Sequence, residues 1–228
     1  MQRERVTDAI YVFTSDRYAS VTAGVVVTSE GAVVIDTLVY PEESLAIRHF
    51  VNQKLGLPVR YVINTHHHAD HTTGTCFFEG ATVIAQEQCR TLLDTRGRES
   101  LEHAKDTVPE MQDVRVVLPQ VVFERHMTLY CGNKTLRLWS SPGHSVDSLV
   151  CLVEEDGVLF GADTLMPVPY FVDGNLEDFR HSLEALRQQT YETVVQGHGE
   201  VVLRGEIEEK IASDLNYLSL LEKAVDSA

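Results

Sequence analysis

The sequence predicts an α/β chain folded as a four-layer αββα sandwich, with two β-sheets face to face and helices outside both. Two observations carry this. One order of events occurs twice: an apolar hairpin ending on an aspartate, then an amphipathic helix, then an apolar strand running into a histidine-bearing turn. Proline and glycine are dispersed as turn punctuation, with no linker or low-complexity segment, so one domain spanning residues 1–228 is expected.

In the first half, "IYVFT" (10–14), "AGVVVTS" (23–29) and "AVVID" (32–36) read as strands because they are β-branched and apolar, with "EG" turning between the last two. That hairpin ends on Asp36. The stretch "PEESLAIRHFVNQKLG" then reads as a helix: Pro41 opens it, acids fill its first turn, apolar residues recur at helical spacing and Gly56 closes it. A buried strand, "VRYVIN" (59–64), follows. In the second half, "SLVCLVEEDGVLFGAD" (148–163) gives strand, acidic turn, strand and Asp163, "NLEDFRHSLEALRQQ" (175–189) gives a helix, and "TVVQGHGE" (193–200) gives a strand carrying His198. Asp36-Thr37 thus corresponds to Asp163-Thr164. The charged region from Gln86 to His126 reads as an outer helix and connection, with a flap over the cleft as the alternative. An amphipathic helix over 206–225 closes the chain.

At 228 residues, 43% of them apolar, the chain can bury one sizeable core. A formal charge of −15 leaves no basic stripe for phosphate backbones or anionic membranes, so the expected partner is a small-molecule substrate, without nucleic acid or membrane. No run approaches the ~18–20 apolar residues of a membrane span, and "MQRERVTDAIYVF" contains no apolar stretch of signal-peptide length, so a cytoplasmic protein is expected. Cys76, Cys89, Cys131 and Cys151 are scattered and read as reduced residues, three of them partly buried.

Four histidines and an aspartate fall within the six positions of "HHHADH" (66–71), directly after a strand. In an extended or tight-turn segment His66 and His68 point the same way and can share a metal, while His67 points elsewhere. Asp70 and His71, at the start of a helix around Thr72, can reach a second ion. His144 in "SSPGHS", Asp163 in "FGADT" and His198 in "QGHGE" stand at further strand ends beside glycine. Imidazole and carboxylate donors suit zinc, manganese or iron. Two such ions about 3.5–4 Å apart share one water, lower its pKa toward neutrality and polarise a carbonyl, so no serine or cysteine nucleophile is needed. Asp70 is then placed to take up a proton, and Tyr170, in "MPVPYFVDG", is a candidate donor to the developing oxyanion or leaving group.

Together, "THHHADH", "PGHS", "GAD" and "GHG" resemble the five-part metal signature of the metallo-β-lactamase-fold superfamily, over nearly the whole chain from "AVVIDT" to "QGHGE". The resemblance implies that His66, His68 and His144 bind one of two divalent ions, expected to be zinc, that Asp70, His71 and His198 bind the other, and that Asp163 bridges them. Asp36 is similar to the family's support carboxylate, which orients the metal loop. The departures from particular branches bear on substrate. The best-known zinc β-lactamases carry cysteine where this chain has Asp163. Acyl-homoserine lactonases place tyrosine where it has Met166, and glyoxalase II has a Gly-rich aromatic segment where it reads "LMPVPYFVDG". The expected activity is hydrolysis of a small ester, thioester, lactone or related acyl compound, with lactamase activity at most a minor promiscuous reaction. The alternative is the mononuclear iron chemistry of persulfide dioxygenases, which are similar in the same motifs.

Overall fold

A computed structural model describes residues 1–227. The strands are β1 (Gln2–Arg5), β2 (Ile10–Thr14), β3 (Thr22–Thr28), β4 (Gly31–Ile35), β5 (Val59–Ile63), β6 (Thr82–Gln86), β7 (Val121–Phe123), β8 (His126–Cys131), β9 (Lys134–Ser140), β10 (Leu149–Val153), β11 (Val158–Ala162), β12 (Thr193–Gln196) and β13 (Val201–Leu203). The helices are α1 (Pro41–His49), α2 (Ala69–Thr72), α3 (Glu87–Leu92), α4 (Arg98–Thr107), α5 (Leu176–Arg187) and α6 (Arg204–Asp226). One sheet has the order β1-β2-β3-β4-β5-β6-β7 and the other β13-β12-β11-β10-β9-β8.

Both halves use the same wiring. β3 and β4 form an antiparallel hairpin, α1 crosses over, and β5 returns parallel to β4; β10, β11, α5 and β12 repeat it. Strand alternation then sends side chains to two different cores. Val33, Ile35, Ile63 and Ile84 meet Leu138, Cys151, Val153 and Phe160 between the sheets. Val34 and Val62 turn outward onto Ile47, Phe50 and Val51 beside α1, while Val150, Leu152 and Leu159 turn outward onto Phe179, Leu183 and Leu186 of α5 and Ile211 and Leu218 of α6. Burial on both faces makes β4, β10 and β11 apolar throughout. This is the expected αββα arrangement.

Several elements differ from the sequence reading. The run "TVIAQ" is β6, and "HMTLYC" with "KTLRLWS" is an antiparallel hairpin around Gly132, whose φ of +55° suits the turn. The 86–126 region is α3 and α4 joined by a wide turn at Leu93–Gly97, followed by an extended run into β7 on the edge of the first sheet. All four cysteines are buried and unpaired, not three of them partly buried, because each packs in an apolar cluster.

Candidate metal centre

The C-terminal ends of β4, β5 and β11, with the loops after β9 and β12, meet at one edge of the two sheets. The left-handed turn after each hairpin falls at Asp36 in the first half (φ +56°) and at Ala162, one residue before Asp163, in the second (φ +45°). The two aspartates consequently do different work. Asp36 is buried behind the histidine turn, where its Oδ1 accepts from the Thr65 backbone N–H (2.8 Å) and its Oδ2 accepts from the Thr65 hydroxyl (2.7 Å) and from His71 Nδ1 (2.8 Å). Thr37 holds the same turn by donating from both N–H and hydroxyl to the His71 carbonyl (2.9 and 3.0 Å). Asp163 instead faces the histidines, with Oδ2 3.2 Å from His144 Nε2, 3.5 Å from His198 Nε2 and 3.8 Å from His66 Nε2, and Oδ1 3.3 Å from His71 Nε2.

Five imidazoles share one arrangement: one ring nitrogen is engaged by the protein and the other is aimed inward. His71 leans on Asp36, His144 Nδ1 donates to the Tyr170 carbonyl (2.7 Å), His198 Nδ1 donates to the Ala19 carbonyl (2.9 Å), and His66 Nδ1 lies 3.1 Å from the Thr65 hydroxyl. His68 is turned the other way, with Nε2 3.2 Å from Asp173 Oδ2 and Nδ1 inward, 3.0 Å from His144 Nε2. Fixing the outer nitrogen sets the tautomer and leaves the inner one free to ligate. Among the described residues, His66 Nε2, His71 Nε2 and Asp163 Oδ1 are buried without a hydrogen-bond partner. Such orphaned atoms are costly unless something else satisfies them.

The donor atoms form sets that could hold metal ions: His66, His68 and His144; His66, His71 and Asp163; and Asp70, His71 and His198. All seven sequence-predicted donors therefore come together. A fourth grouping, His67, His68 and Asp173, is accounted for by the protein itself: His67 Nδ1 lies 2.9 Å from Asp147 Oδ1, and Asp173 pairs with Arg96 at 2.5 Å. Tyr170, the other candidate, contributes its backbone to His144 while its ring stands exposed at the rim.

Electrostatics divides the histidines. Burial pushes His66 and His144 down and takes His68 to about 4, leaving these rings neutral as ligands must be. Burial also acts on His71 and His198, but the surrounding carboxylates outweigh it, Asp163 first for both, and raise His71 well above its ordinary value and His198 to about 9. Asp163, though buried, is held well below the usual carboxylate range by His71 and its neighbours.

Glycines permit this crowding. A Cβ at Gly197 would lie 1.9 Å from Asp163 Oδ1, and one at Gly174 would lie 1.9 Å from the Gly143 carbonyl, where the loop after Asp163 packs on the His144 loop. Through that contact the Val172 and Asp173 N–H groups both donate to the His144 carbonyl (3.1 Å each), which places Asp173 beside His68. Asp173, Arg96, Asp147 and the Tyr18–Ala19 turn were missed from sequence. Asp147 stands three residues after His144 in "PGHSVD", a local hint; the others are brought in by loops whose docking no periodicity encodes. Over the donors lies a cleft of about 570 Å³ walled by Tyr18, Val39, Met166, Pro167, Tyr170 and Val172.

The sequence pattern of the metallo-beta-lactamase superfamily matches residues 17–198. The chain belongs to that superfamily. A metallo-beta-lactamase from Pontibacter korlensis has the same fold, with a TM-score of 0.77 at 21% identity over 96% of this chain and 98% of its own. The thioesterase pkgB of Emericella nidulans is 26% identical over 77% of this chain and 42% of its own length. A hydroxyacylglutathione hydrolase of Rhodopseudomonas palustris is 29% identical over 50% of this chain and 37% of its own. The chain thus spans less than half the length of these two superfamily relatives. No helix among the described residues is long and apolar enough to cross a membrane.

Proposed function

We propose that this superfamily member is a metal-dependent hydrolase of small acyl compounds, with a thioester as the favoured substrate, and that it carries two divalent ions, zinc first. The observation that carries the reading is the set of five imidazoles, each with its outer nitrogen engaged and its inner nitrogen aimed at shared points beside orphaned Asp163 Oδ1. His66, His68 and His144 would hold one ion, Asp70, His71 and His198 the other, with Asp163 reaching both. Bound there, the ions supply a water of near-neutral pKa and draw charge from the acyl oxygen.

The chain's own groups do the rest. Asp70 lines the cleft with Oδ2 3.3 Å from His198 Nε2, where it can accept a proton as water adds to the acyl carbon. The C–S bond then breaks, releasing a carboxylate and a thiol, and Asp70 is placed to return the proton to the sulfur. Tyr170 stands over the same cleft, and its hydroxyl makes no hydrogen bond among the described residues, which suits a donor to the acyl oxygen. The relatives named as thioesterase and hydroxyacylglutathione hydrolase favour the thioester over the lactone or lactam. The acidic charge argues against nucleic acid, and the unpaired buried cysteines fit a reducing cytoplasm.

Elemental analysis of the purified protein, followed by chelation and metal re-addition with a thioester panel, tests this. About two zinc or manganese ions per chain with restored hydrolysis supports it. About one iron per chain with oxygen consumption overturns it.

A further inference from the structure

Beside the metal cleft lies a second, narrower pocket of about 180 Å³. Its floor is made by the region between β6 and β7: Leu93 after α3, Leu101 and Ala104 of α4, and Met111, Val114 and Val117 of the run that follows. Leu93, Met111 and Val114 are buried, so the pocket reaches into the packed layer under α4. Its other wall is the metal turn. Val39, His68 and Ala69 line this pocket and the metal cleft alike. Protein interiors leave few voids larger than a water molecule, so an apolar space of this size opening beside a reactive centre needs an occupant.

The polar groups at its rim narrow the choice. Arg96 is paired with Asp173 (2.5 Å), Arg115 with Glu79 (2.8 Å), and His67 with Asp147 (2.9 Å). The two arginines and His67 are each paired with a carboxylate, leaving no unmatched cation to select an anion. A dry apolar cavity of about 150 Å³ takes a benzene-sized group. This one is matched to about six carbons.

We propose that this pocket binds the acyl group of the substrate, selecting an unbranched or cyclic apolar acyl chain of about six carbons and leaving the wider cleft to the polar thiol carrier. The assignment rests on the hydrolase reading above and adds the substrate's acyl class to it. Val39, His68 and Ala69 bring the reacting carbonyl and the tail to adjoining spaces, and α4 acts as the ruler that sets chain length.

The test uses the full, metal-loaded chain and N-acetylcysteamine thioesters of straight-chain acids from two to ten carbons. Each methylene entering the pocket should raise kcat/KM about fourfold, the factor expected for burying a CH₂. The rise should level off near six to eight carbons. Ala104→Phe, which fills the pocket from half-buried α4, should flatten the series at two to four carbons with metal content retained; Ser100→Phe, on an exposed position of the same helix, gives the same block if Ala104→Phe does not melt cooperatively. Calorimetric binding of hexanoate against acetate reads the same preference without turnover. Thioester hydrolysis with no chain-length dependence, or an undiminished slope in a folded variant, overturns the pocket while the hydrolase stands. Absence of turnover on every thioester overturns the thioesterase reading, and hexanoate binding no tighter than acetate then overturns the pocket as well.

Discussion

Replacing Asp36 by Asn keeps the shape of the side chain and, because Asn tolerates left-handed backbone, the φ of +56° that the turn requires. It removes the charge and turns one acceptor oxygen into a donor. Asn Oδ1 can still accept from the Thr65 N–H, but its amino group then faces His71 Nδ1, which now donates to Asp36 at 2.8 Å. The conflict is relieved if His71 moves its proton to Nε2, the nitrogen aimed into the site. The Thr65 hydroxyl, which also donates to Oδ2, can turn to accept from the new amino group, so the net loss is the charge-assisted bond to His71, which in a buried place costs about 1.5–3 kcal/mol. In a domain of this size about 2 kcal/mol lowers Tm by ~4–8 °C. Zinc affinity should fall about 10–100-fold, concentrated at the site proposed for Asp70, His71 and His198. Urea melts of the chelator-treated protein, zinc competition against a chromophoric chelator and nitrogen-edited NMR of His71 measure the three effects. Asp36→Ala should lose a further ~1 kcal/mol to left-handed strain. Zinc affinity within twofold of wild type in Asp36→Asn, with the His71 tautomer unchanged, would refute the argument.

His67 points away from the shared donors, so His67→Ala should leave metal binding intact, but buried against Asp147 it should contribute about 2–3 kcal/mol, seen as a lower Tm. Gly197→Ala removes no donor, yet its Cβ collides with Asp163 Oδ1, so metal content measured after gel filtration should drop well below that of wild type. In metal-stripped protein, imidazole NMR should show His198 titrating near pH 9 and His68 near pH 4. The raised His198 adds stability that is complete below its unfolded value near 6.5 and lost as pH rises through about 9. The lowered His68 adds stability present above about 6.5 and lost as pH falls toward 4. Denaturant midpoints that move oppositely across those two windows check the signs.

The duplicated hairpin-helix-strand plan was legible because apolar runs, a Pro at the start of α1 and an Asn cap on α5 are local signals. The candidate donors were legible for the same reason: His66, His68, Asp70 and His71 crowd one turn after a strand, and His144, Asp163 and His198 stand in short glycine-marked motifs. The β8–β9 hairpin went unread although "CGNK" marks its turn, since its strands are polar on one face and carry less apolar contrast. Asp173 was out of reach for another reason. Its place beside His68 depends on Gly174 resting against the Gly143 carbonyl, a contact between loops 31 residues apart that leaves no period in the chain.

The donors run from His66 to His198, 132 positions along the chain, and each of the three sets needs one residue from the second half: His144, Asp163 or His198. During synthesis at ~5–20 residues per second, about 7–26 s separate the emergence of the histidine turn from that of His198. For that interval the nascent chain displays a chelating "HHHADH" tract with its closing partners still unmade. Metal captured then would be shared with solvent or a neighbouring chain, so faithful loading calls for free metal kept scarce until the second sheet has docked.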